Sequence, residues 1–267
     1  LPLYDKPMIY YPLSALMLAG IREVAIITTP QDQDQFRRLL GDGSQWGMAF
    51  TFIEQPSPDG LAQAYILAKD FLDGSPSAMV LGDNIFYGYG FPDLVTAAAA
   101  QSSGGTVFGY RVADPVRYGV VAFDGAGTAV SIEEKPAEPA SNYAVTGLYF
   151  LDGQASARAR SVAPSARGEL EITSLLEMYL QEGSLTVSLM GRGYGWLDTG
   201  THDSLIEAGH FVQTLENRQG LKIGCPEEIA YENGWVTAEQ IRDLAKPFLQ
   251  TGHGQYLLPL FDRRDYP

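Results

Sequence analysis

The chain has 267 residues, of which 45% are hydrophobic, so it can bury a sizeable core in one large α/β domain or two small ones. Its 18 Lys and Arg residues against 32 Asp and Glu residues give a net charge of -14, which would repel nucleic-acid backbones and anionic membrane surfaces alike. Nucleic acid and membrane are therefore excluded as expected partners, whereas a local basic pocket for a small phosphorylated substrate stays open.

Cysteine and histidine are scarce. Cys225 is the only cysteine, which excludes an internal disulfide and a cysteine-based zinc site and suits a reducing cytosol. His202, His210 and His253 show no metal-ligand clustering. No run approaches the ~18 apolar residues of a membrane span, and no signal-peptide pattern is seen. We therefore expect a cytoplasmic protein.

Helix and strand patterns alternate in the first part of the chain. Gly20 and Gly41 close the first two helical patterns, and β-branched residues mark the first strand. The predicted helices are about 8–19, 30–40, 61–72 and 93–101, and the predicted strands are 24–28, 48–53, 78–81 and 106–111. This rhythm predicts a parallel sheet covered by helices on both faces.

The middle of the chain is richer in strands, and its end is helical. Predicted strands at 118–123, 130–134 and 143–150 are followed by a strand at 185–189 between helices at 170–181 and 201–216. Beyond them, Thr237 and Gln240 form a capping-box signature. We predict a single domain over residues 1–267, with a C-terminal helical extension over about 221–267.

Strand ends are the first candidates for a site, because ligands on open parallel sheets bind beyond the carboxyl ends of the strands. Gln55 ends a predicted strand, and Gly60 precedes a helix. A glycine there leaves backbone N–H groups approachable by an anion, and a glutamine can hydrogen-bond a base edge. The alternative is a plain Pro-Asp-Gly turn.

Two aspartates stand at similar places. Asp83 comes just past the predicted strand 78–81, and Asp198 lies in a segment that runs into a helix. Mg²⁺ prefers one or two carboxylates plus substrate phosphates, so both aspartates are candidate metal ligands. The alternatives are an Asx turn at Asp83 and an ordinary loop before an N-cap threonine at Asp198.

The segment Glu133-Glu134-Lys135-Pro136 ends another predicted strand. A lysine there could neutralise a sugar phosphate as a point charge, with an adjacent glutamate free to accept hydrogen bonds from sugar hydroxyls. The alternative is a solvated strand edge that carries like-charged neighbours.

One motif belongs to a different functional class. Asp198-Thr199-Gly200 matches the Asp-Thr-Gly of aspartic proteases, which need two such aspartates that share a proton. The chain has no second Asp-Thr-Gly or Asp-Ser-Gly, and its α/β rhythm disfavours the all-β protease folds. A monomeric aspartic protease is therefore excluded.

Each of these motifs is weakly specific by itself, but their sequences and their order along the chain are distinctive. The stretches include YDKPMIYYPLSALMLAGI, QPSPDGLAQA, LGDNIFYG, DPVRYGVV, EEKP, SNYAVTGLYF, SARGELEIT and MGRGYGWLDTGTH. Together they strongly resemble the bacterial glucose-1-phosphate thymidylyltransferases, from Leu1 to about Ala230. The resemblance implies a single-domain, Rossmann-like α/β nucleotidyltransferase fold, with a mostly parallel mixed sheet flanked by helices, assembled as a homotetramer.

The resemblance also implies a reaction and its site. The reaction would convert dTTP and α-D-glucose 1-phosphate into dTDP-glucose and pyrophosphate with Mg²⁺ as cofactor, as the first step toward dTDP-L-rhamnose or other deoxysugars. The family roles carried over are metal binding by Asp83 and Asp198, catalysis by Asp83, Lys135 and Asp198, nucleotide binding by Gln55, Pro58, Gly60 and Asp83, and sugar-phosphate binding by Tyr118, Gly119, Glu134, Lys135, Val145 and Arg167.

The resemblance implies one further segment, and two alternative functions stay open beside it. The family's glycine-rich G-G-x-G-T-R loop and a Lys-Gln pair would lie upstream of Leu1, and we expect the full protein to have them. A uridylyltransferase that uses a related sugar phosphate is the alternative within the class. A non-catalytic module that binds sugar nucleotides is the alternative from another class.

Overall fold

The computed structural model describes residues 1–260. Its first half begins with a short hairpin that the sequence patterns do not predict, and it then alternates helices with strands as those patterns do predict. The elements are β1 (Pro2–Leu3), β2 (Lys6–Pro7), α1 (Tyr10–Leu18), β3 (Glu23–Thr28), α2 (Pro30–Leu40), β4 (Ala49–Glu54), α3 (Ala62–Leu67), α4 (Lys69–Leu72), β5 (Ser77–Val80), β6 (Asn84–Gly88), α5 (Phe91–Ala99) and β7 (Gly105–Arg111).

The second half adds the middle strands, two longer helices and a set of short C-terminal helices. Its elements are β8 (Gly119–Phe123), β9 (Ala129–Glu134), β10 (Tyr143–Leu151), α6 (Ala155–Ala159), α7 (Ile172–Gln181), β11 (Leu185–Met190), β12 (Tyr194–Asp198), α8 (His202–Gln219), α9 (Pro226–Glu232), α10 (Ala238–Ala245) and α11 (Gly252–Leu257). The predicted helical extension is helical as far as it is described, and residues 261–267 lie outside the described part.

The central sheet has six strands. Its order is β11-β7-β10-β8-β9, and β5 also pairs with β10. Two further ladders stand apart from it, β3 with β4 and β6 with β12. Helices flank these strands, so the predicted mixed α/β class is confirmed.

The expectation of a mostly parallel sheet is wrong in detail. Among the strand pairs within residues 1–260, β3–β4 and β7–β11 are parallel and the other six are antiparallel. The reason lies in β10, which is buried along most of its length. A strand that is buried on both faces is a continuous apolar run in a parallel and in an antiparallel sheet alike, so its sequence does not indicate the direction of its neighbours. β10 pairs in the antiparallel sense with β5, β7 and β8.

Besides the β1–β2 hairpin, local patterns missed the strands β6 and β12 and one break in a helix. β6 and β12 contain Gly88 and Gly195, which interrupt apolar alternation, and each is held by pairing with the other. A Cβ on Gly88 would meet the ring of Tyr194 at 2.5 Å, so the ladder needs glycine there. The predicted helix 61–72 is two helices, α3 and α4, which meet at Ala68.

The C-terminal helices share a core with the start of the chain. The largest apolar cluster contains Leu13 and Met17 of α1 together with Ile229 of α9 and Ile241 of α10. An apolar cavity of about 500 Å³ lies between β3 and β5, and it is lined by residues of both strands. Within residues 1–260, β3 pairs only with β4 and β5 only with β10.

Candidate active site

The two candidate metal ligands are brought together by β6 and β12. Their antiparallel register places Asp198 opposite Asn84, the residue after Asp83. Thr199 then closes the contact, because its backbone N–H and its hydroxyl both donate to the carbonyl of Asp83, at 3.0 and 2.8 Å. The aspartates are therefore neighbours in space although they are far apart in the sequence.

Both carboxylates face the same small space beside Gly200. A Cβ on this glycine would lie 3.0 Å from Oδ1 of Asp198 and 3.6 Å from Oδ2 of Asp83. Burial raises the pKa of Asp198; the N–H of Gly200, which donates to Oδ1 at 2.9 Å, lowers it, and the charge of Asp83 raises it again. Two carboxylates that face a space left open by a glycine are a donor set that suits Mg²⁺.

Asn84 fixes the position of the Asp83 carboxylate from the core side of the site. Its side chain is 2% exposed, and its Oδ1 accepts hydrogen bonds from the indole Nε1 of Trp196 at 2.6 Å and from the N–H of Gly147 at 3.1 Å. Its Nδ2 donates to Oδ1 of Asp83 at 2.8 Å. The amide thus orients the carboxylate from a fixed point in the core. The sequence patterns did not indicate this role, although Asn84 follows Asp83 directly in the LGDN motif.

A second group of predicted residues forms a pocket wall around Gly119. The β8–β9 register pairs this glycine with Glu134. A Cβ on Gly119 would meet Cγ2 of Thr173 at 2.7 Å, and Oε2 of Glu134 and Cβ of Val145 at 3.5 and 3.9 Å. Because the glycine leaves this volume open, a ligand can approach the wall closely. Thr173, which sequence analysis did not select, donates its hydroxyl to Oε2 of Glu134 at 3.1 Å.

Positive charge borders the same wall. Nη2 of Arg167 lies 3.7 Å from Oε1 of Glu134 and 2.9 Å from Oε1 of Glu171, and Nζ of Lys135 lies 3.8 Å from Oε1 of Glu134. Burial raises the pKa of Glu134 and the charge of Glu171 raises it further, while Thr173 and the two cations lower it. Lysine, arginine and a partly buried glutamate suit a ligand that carries both a phosphate and hydroxyl groups.

Lys135 and Tyr118 connect this wall to the aspartates. Lys135 adopts a left-handed backbone conformation with φ of 44°, and its N–H donates to the carbonyl of Tyr118 at 3.0 Å. Such a backbone conformation is unfavourable for any residue that has a Cβ, and residues held in it cluster at functional sites. The Tyr118 ring packs against Trp196, with ring centroids 5.1 Å apart. Burial raises the pKa of Tyr118, and the charge of Asp198 raises it further.

The predicted nucleotide segment is folded onto the loop that carries Arg167. Gly60 has a φ of 110°, and a Cβ there would overlap the backbone of Leu170, which also accepts the N–H of Ala62 at 3.0 Å. Gln55 follows β4 and donates from Nε2 to Oε1 of Gln63 at 2.7 Å. Pro58 is exposed in the turn between them. The structure thus joins the predicted nucleotide segment to the loop that carries Arg167, while its contacts give Pro58 no distinct role.

The fold and the site together define a class. Paired carboxylates at adjoining strand ends, next to a wall with lysine and arginine, are typical of α/β proteins that transfer phosphorylated groups, where catalysis is mainly positioning and charge neutralisation. A family model described as nucleotidyl transferase matches residues 1–214. The chain belongs to the nucleotidyl transferase family and is a nucleotidyltransferase.

Its relatives are more specific. The glucose-1-phosphate thymidylyltransferase of Xanthomonas campestris pv. campestris (strain B100) is 58% identical over 263 residues, which cover 98% of this chain and 89% of that protein. The glucose-1-phosphate thymidylyltransferase of Neisseria meningitidis serogroup A is 56% identical over 263 residues, with coverage of 98% and 91%.

Structural similarity agrees with these matches. A crystal structure from Bacillus anthracis, provisionally described as a glucose-1-phosphate thymidylyltransferase in complex with a sucrose, is similar to this chain with a TM-score of 0.72 and 38% identity. The match covers 79% of this chain and 84% of that one. None of the helices within residues 1–260 has the length and apolar character that a membrane crossing needs.

Proposed function

We propose that the chain catalyses the Mg²⁺-dependent reaction of dTTP with α-D-glucose 1-phosphate to give dTDP-glucose and pyrophosphate. The observation that carries this proposal is the convergence of Asp83 and Asp198 on the open space beside Gly200. The wall formed around Gly119 supports it, because carboxylate, hydroxyl and cationic groups there match a phosphorylated sugar. The thymidylyltransferase names of the relatives point to the same substrates.

The reaction is an in-line displacement at the α-phosphorus of dTTP. A phosphate oxygen of glucose 1-phosphate forms the new bond to phosphorus, and the bond to the β-phosphate oxygen breaks, so that pyrophosphate leaves with the electron pair. Mg²⁺ held by Asp83 and Asp198 would supply countercharge to the phosphates. Lys135 and Arg167 reduce the repulsion between the two anionic substrates as they approach each other.

Sugar and base are held by different residues. Glu134, fixed by the Thr173 hydroxyl, accepts hydrogen bonds from glucose hydroxyls, and Gly119 and Val145 shape the surface beneath the ring. Tyr118 borders the same site. In the nucleotide segment, the Gln55 amide pairs with the thymine edge, and Gly60 lets the backbone of Leu170 pack closely against this base-binding segment. Pro58 lies exposed in the turn between them.

Base selectivity is modest in this mechanism. The 5-methyl group that distinguishes thymine from uracil is worth about 1–3 kcal/mol in an apolar pocket. We therefore expect slow but measurable turnover of UTP, below that of dTTP by roughly 10- to 200-fold. Pyrophosphate release with each nucleotide at saturating concentration measures the ratio, and an undetectable UTP reaction would contradict this expectation.

The direct test is Mg²⁺-dependent pyrophosphate release from dTTP and glucose 1-phosphate. Asp83→Asn and Asp198→Asn should each lower kcat by about 100-fold or more, because each removes a charge aimed at the reacting phosphates. Asp93→Asn, at an exposed position in the first turn of α5, is the matched control and should keep its activity. Unchanged rates in both site variants would refute the metal assignment.

The two alternatives predict different outcomes of the same assay. A uridylyltransferase would turn over UTP faster than dTTP, and a non-catalytic module would bind dTDP-glucose without releasing pyrophosphate. The proposal extends to a homotetramer and to a first step toward dTDP-L-rhamnose or other deoxysugars in the cytoplasm. Light scattering of the purified protein tests the assembly.

A further inference from the structure

Cys225, Glu227 and His253 bring three metal-binding side chains of different chemistry together. They come from the start of α9 and from α11, elements that carry no residue of the candidate active site. Their ligand atoms all lie within 4.8 Å of one another. The expectation that the histidines show no metal-ligand clustering is thus wrong for His253. The exclusion of a cysteine-based zinc site does not extend to a mixed ligand set with Cys225, because the packing of the C-terminal helices brings these side chains together.

We propose that Cys225 Sγ, Glu227 Oε2 and the His253 imidazole form a binding site for a zinc ion, with water as the fourth ligand. Thiolate, carboxylate and imidazole are the ligands that Zn²⁺ takes in proteins, in a tetrahedral arrangement. A bound ion would connect the start of α9 to α11 within the C-terminal helices.

The distances between the side chains agree with this geometry. Zn–S and Zn–O bonds of about 2.3 and 2.0 Å place tetrahedral sulfur and oxygen ligands about 3.5 Å apart, and nitrogen and oxygen ligands about 3.3 Å apart. Sγ of Cys225 lies 3.5 Å from Oε2 of Glu227, and Nε2 of His253 lies 3.6 Å from the same oxygen. The third separation, between Sγ of Cys225 and the ligand nitrogen of His253, is at most 4.8 Å.

The three groups also lack better partners. Cys225 is 1% exposed and Glu227 8% exposed, so both are shielded from water. Within residues 1–260, the contact that the structure shows for Nε2 of His253 is the long one with Glu227, at 3.6 Å. A buried carboxylate oxygen with contacts of 3.5 and 3.6 Å is weakly satisfied, and a bound cation would compensate for its burial.

Charge balance favours a divalent cation. A thiolate, a carboxylate and a neutral imidazole would neutralise Zn²⁺, so the buried complex would carry no net charge. Burial raises the pKa of the Cys225 thiol, and the charge of Glu227 raises it further. Burial opposes ionisation of Glu227 too, but contacts led by His253 hold its pKa below the ordinary value. Zinc binding would therefore release the thiol proton.

Metal binding is tested with the metal-depleted full chain. Addition of Co²⁺, with Mg²⁺ in large excess to occupy Asp83 and Asp198, should produce thiolate-to-cobalt absorption in the near ultraviolet, with visible bands of tetrahedral intensity. The signal should saturate at one equivalent per chain, and Zn²⁺ should displace it. Zinc should also raise the Tm of the depleted protein.

Variants distinguish metal binding by all three side chains from metal binding by the Cys225 thiol alone. Cys225→Ser should abolish the charge-transfer band, and Glu227→Gln and His253→Asn should each weaken Co²⁺ binding by at least about tenfold, since even the loss of an outer contact costs 10- to 100-fold. His210→Asn, an exposed histidine of α8, is the matched control and should bind as the unaltered chain does.

Two outcomes overturn the proposal. One is the absence of the band in the unaltered chain, which would leave Glu227 and His253 as an ion pair. The other is a band unchanged in Glu227→Gln and His253→Asn, which would indicate a metal held by the thiol alone. If Cys225→Ser does not fold, the more accessible His253→Asn decides between these outcomes through the Co²⁺ titration.

Discussion

At the scale of single residues, Asn84 joins the core to the candidate metal site. Its carbonyl oxygen accepts from Trp196 and Gly147, and its amide donates to Asp83. A carboxylate that is oriented from a buried position loses little freedom when it binds a cation, because its geometry is already fixed. Asn84 is therefore a positioning residue that contacts neither substrate in the proposed function.

Two substitutions of Asn84 separate its roles. Asn84→Asp keeps the acceptor but replaces the donor with a second charge beside Asp83, so half-saturation with Mg²⁺ should shift by about 10- to 100-fold. Asn84→Leu also leaves two buried donors unpaired, at about 1–3 kcal/mol each, and should lower the free energy of unfolding accordingly. Mg²⁺ titration of turnover and urea denaturation measure the two effects. An unchanged Mg²⁺ dependence in Asn84→Asp would contradict the positioning role.

Glu134 makes a prediction about pH. Burial and the nearby Glu171 raise its pKa in the folded state above the ordinary value of 4.5. The folded protein therefore binds this proton more tightly than the unfolded chain, so the group favours folding at low pH and this contribution is lost as pH rises from 4.5 through the raised pKa.

Glu134→Gln removes this titration. Relative to the unaltered chain, the variant should gain stability as pH rises from about 4 to 7, because only the native glutamate acquires a buried charge in that window. Urea denaturation at a series of pH values gives the difference in the free energy of unfolding. A difference that is constant across the series would show that the pKa of Glu134 is the same in both states.

At the scale of elements, the β1–β2 hairpin is joined to α8 by buried charges. Nζ of Lys6 lies 2.9 Å from Oε1 of Glu216, and their side chains are 2% and 4% exposed. Glu216 also accepts the N–H of Ile223 at 3.0 Å and pairs with Lys222, which in turn pairs with Asp5. One carboxylate thus connects the hairpin, the helix and the segment that precedes α9.

Removal of one partner from this network should be costly. Lys6→Met should lower the free energy of unfolding by about 3 kcal/mol, because it leaves Glu216 buried with one cation fewer. A double-mutant cycle with Glu216→Gln should give a coupling energy of about 0.5–3 kcal/mol. Lys246→Met breaks the exposed pair with Asp243 and should change stability by less than about 1 kcal/mol. Equal losses in both lysine variants would contradict a special role for the buried pair.

At the scale of the whole molecule, charge and core explain different properties. A chain with a net charge of -14 handles anionic substrates in the proposed function because Lys135 and Arg167 supply positive charge locally. The core links distant parts of the sequence, since one apolar cluster contains Leu13 of α1 and Ile241 of α10. We therefore predict that the start of the chain and its C-terminal helices unfold together as one domain.

Hydrogen exchange tests this cooperativity. Ile241→Ala removes a fully buried side chain and should cost about 2–5 kcal/mol. The amides of α1 and α10 should lose protection by the same amount if both open in one transition. Ile206→Ala, at a position that is 58% exposed, is the control and should leave protection nearly unchanged. Loss of protection in α10 alone would show that the C-terminal helices open separately.

Much of the fold was predictable because its signals are local. Helix-ending glycines, apolar periodicity and the capping box at Thr237 mark element boundaries that the structure confirms to within a few residues. The pattern could not give strand direction around β10, nor find β6 and β12, because a buried run and a glycine-containing strand depend on what lies beside them.

Local patterns in the amino-acid sequence show which residues stand at strand ends, and the family resemblance adds Asp83 and Asp198 as candidate metal ligands. That these two carboxylates meet follows from long-range pairing alone, because the antiparallel register of β6 and β12 brings Asp83 and Thr199 together across 116 residues. The same holds for Cys225 and His253, whose proximity depends on how α9 and α11 pack. Backbone preferences are local, whereas the convergence of side chains on one point depends on contacts between distant segments.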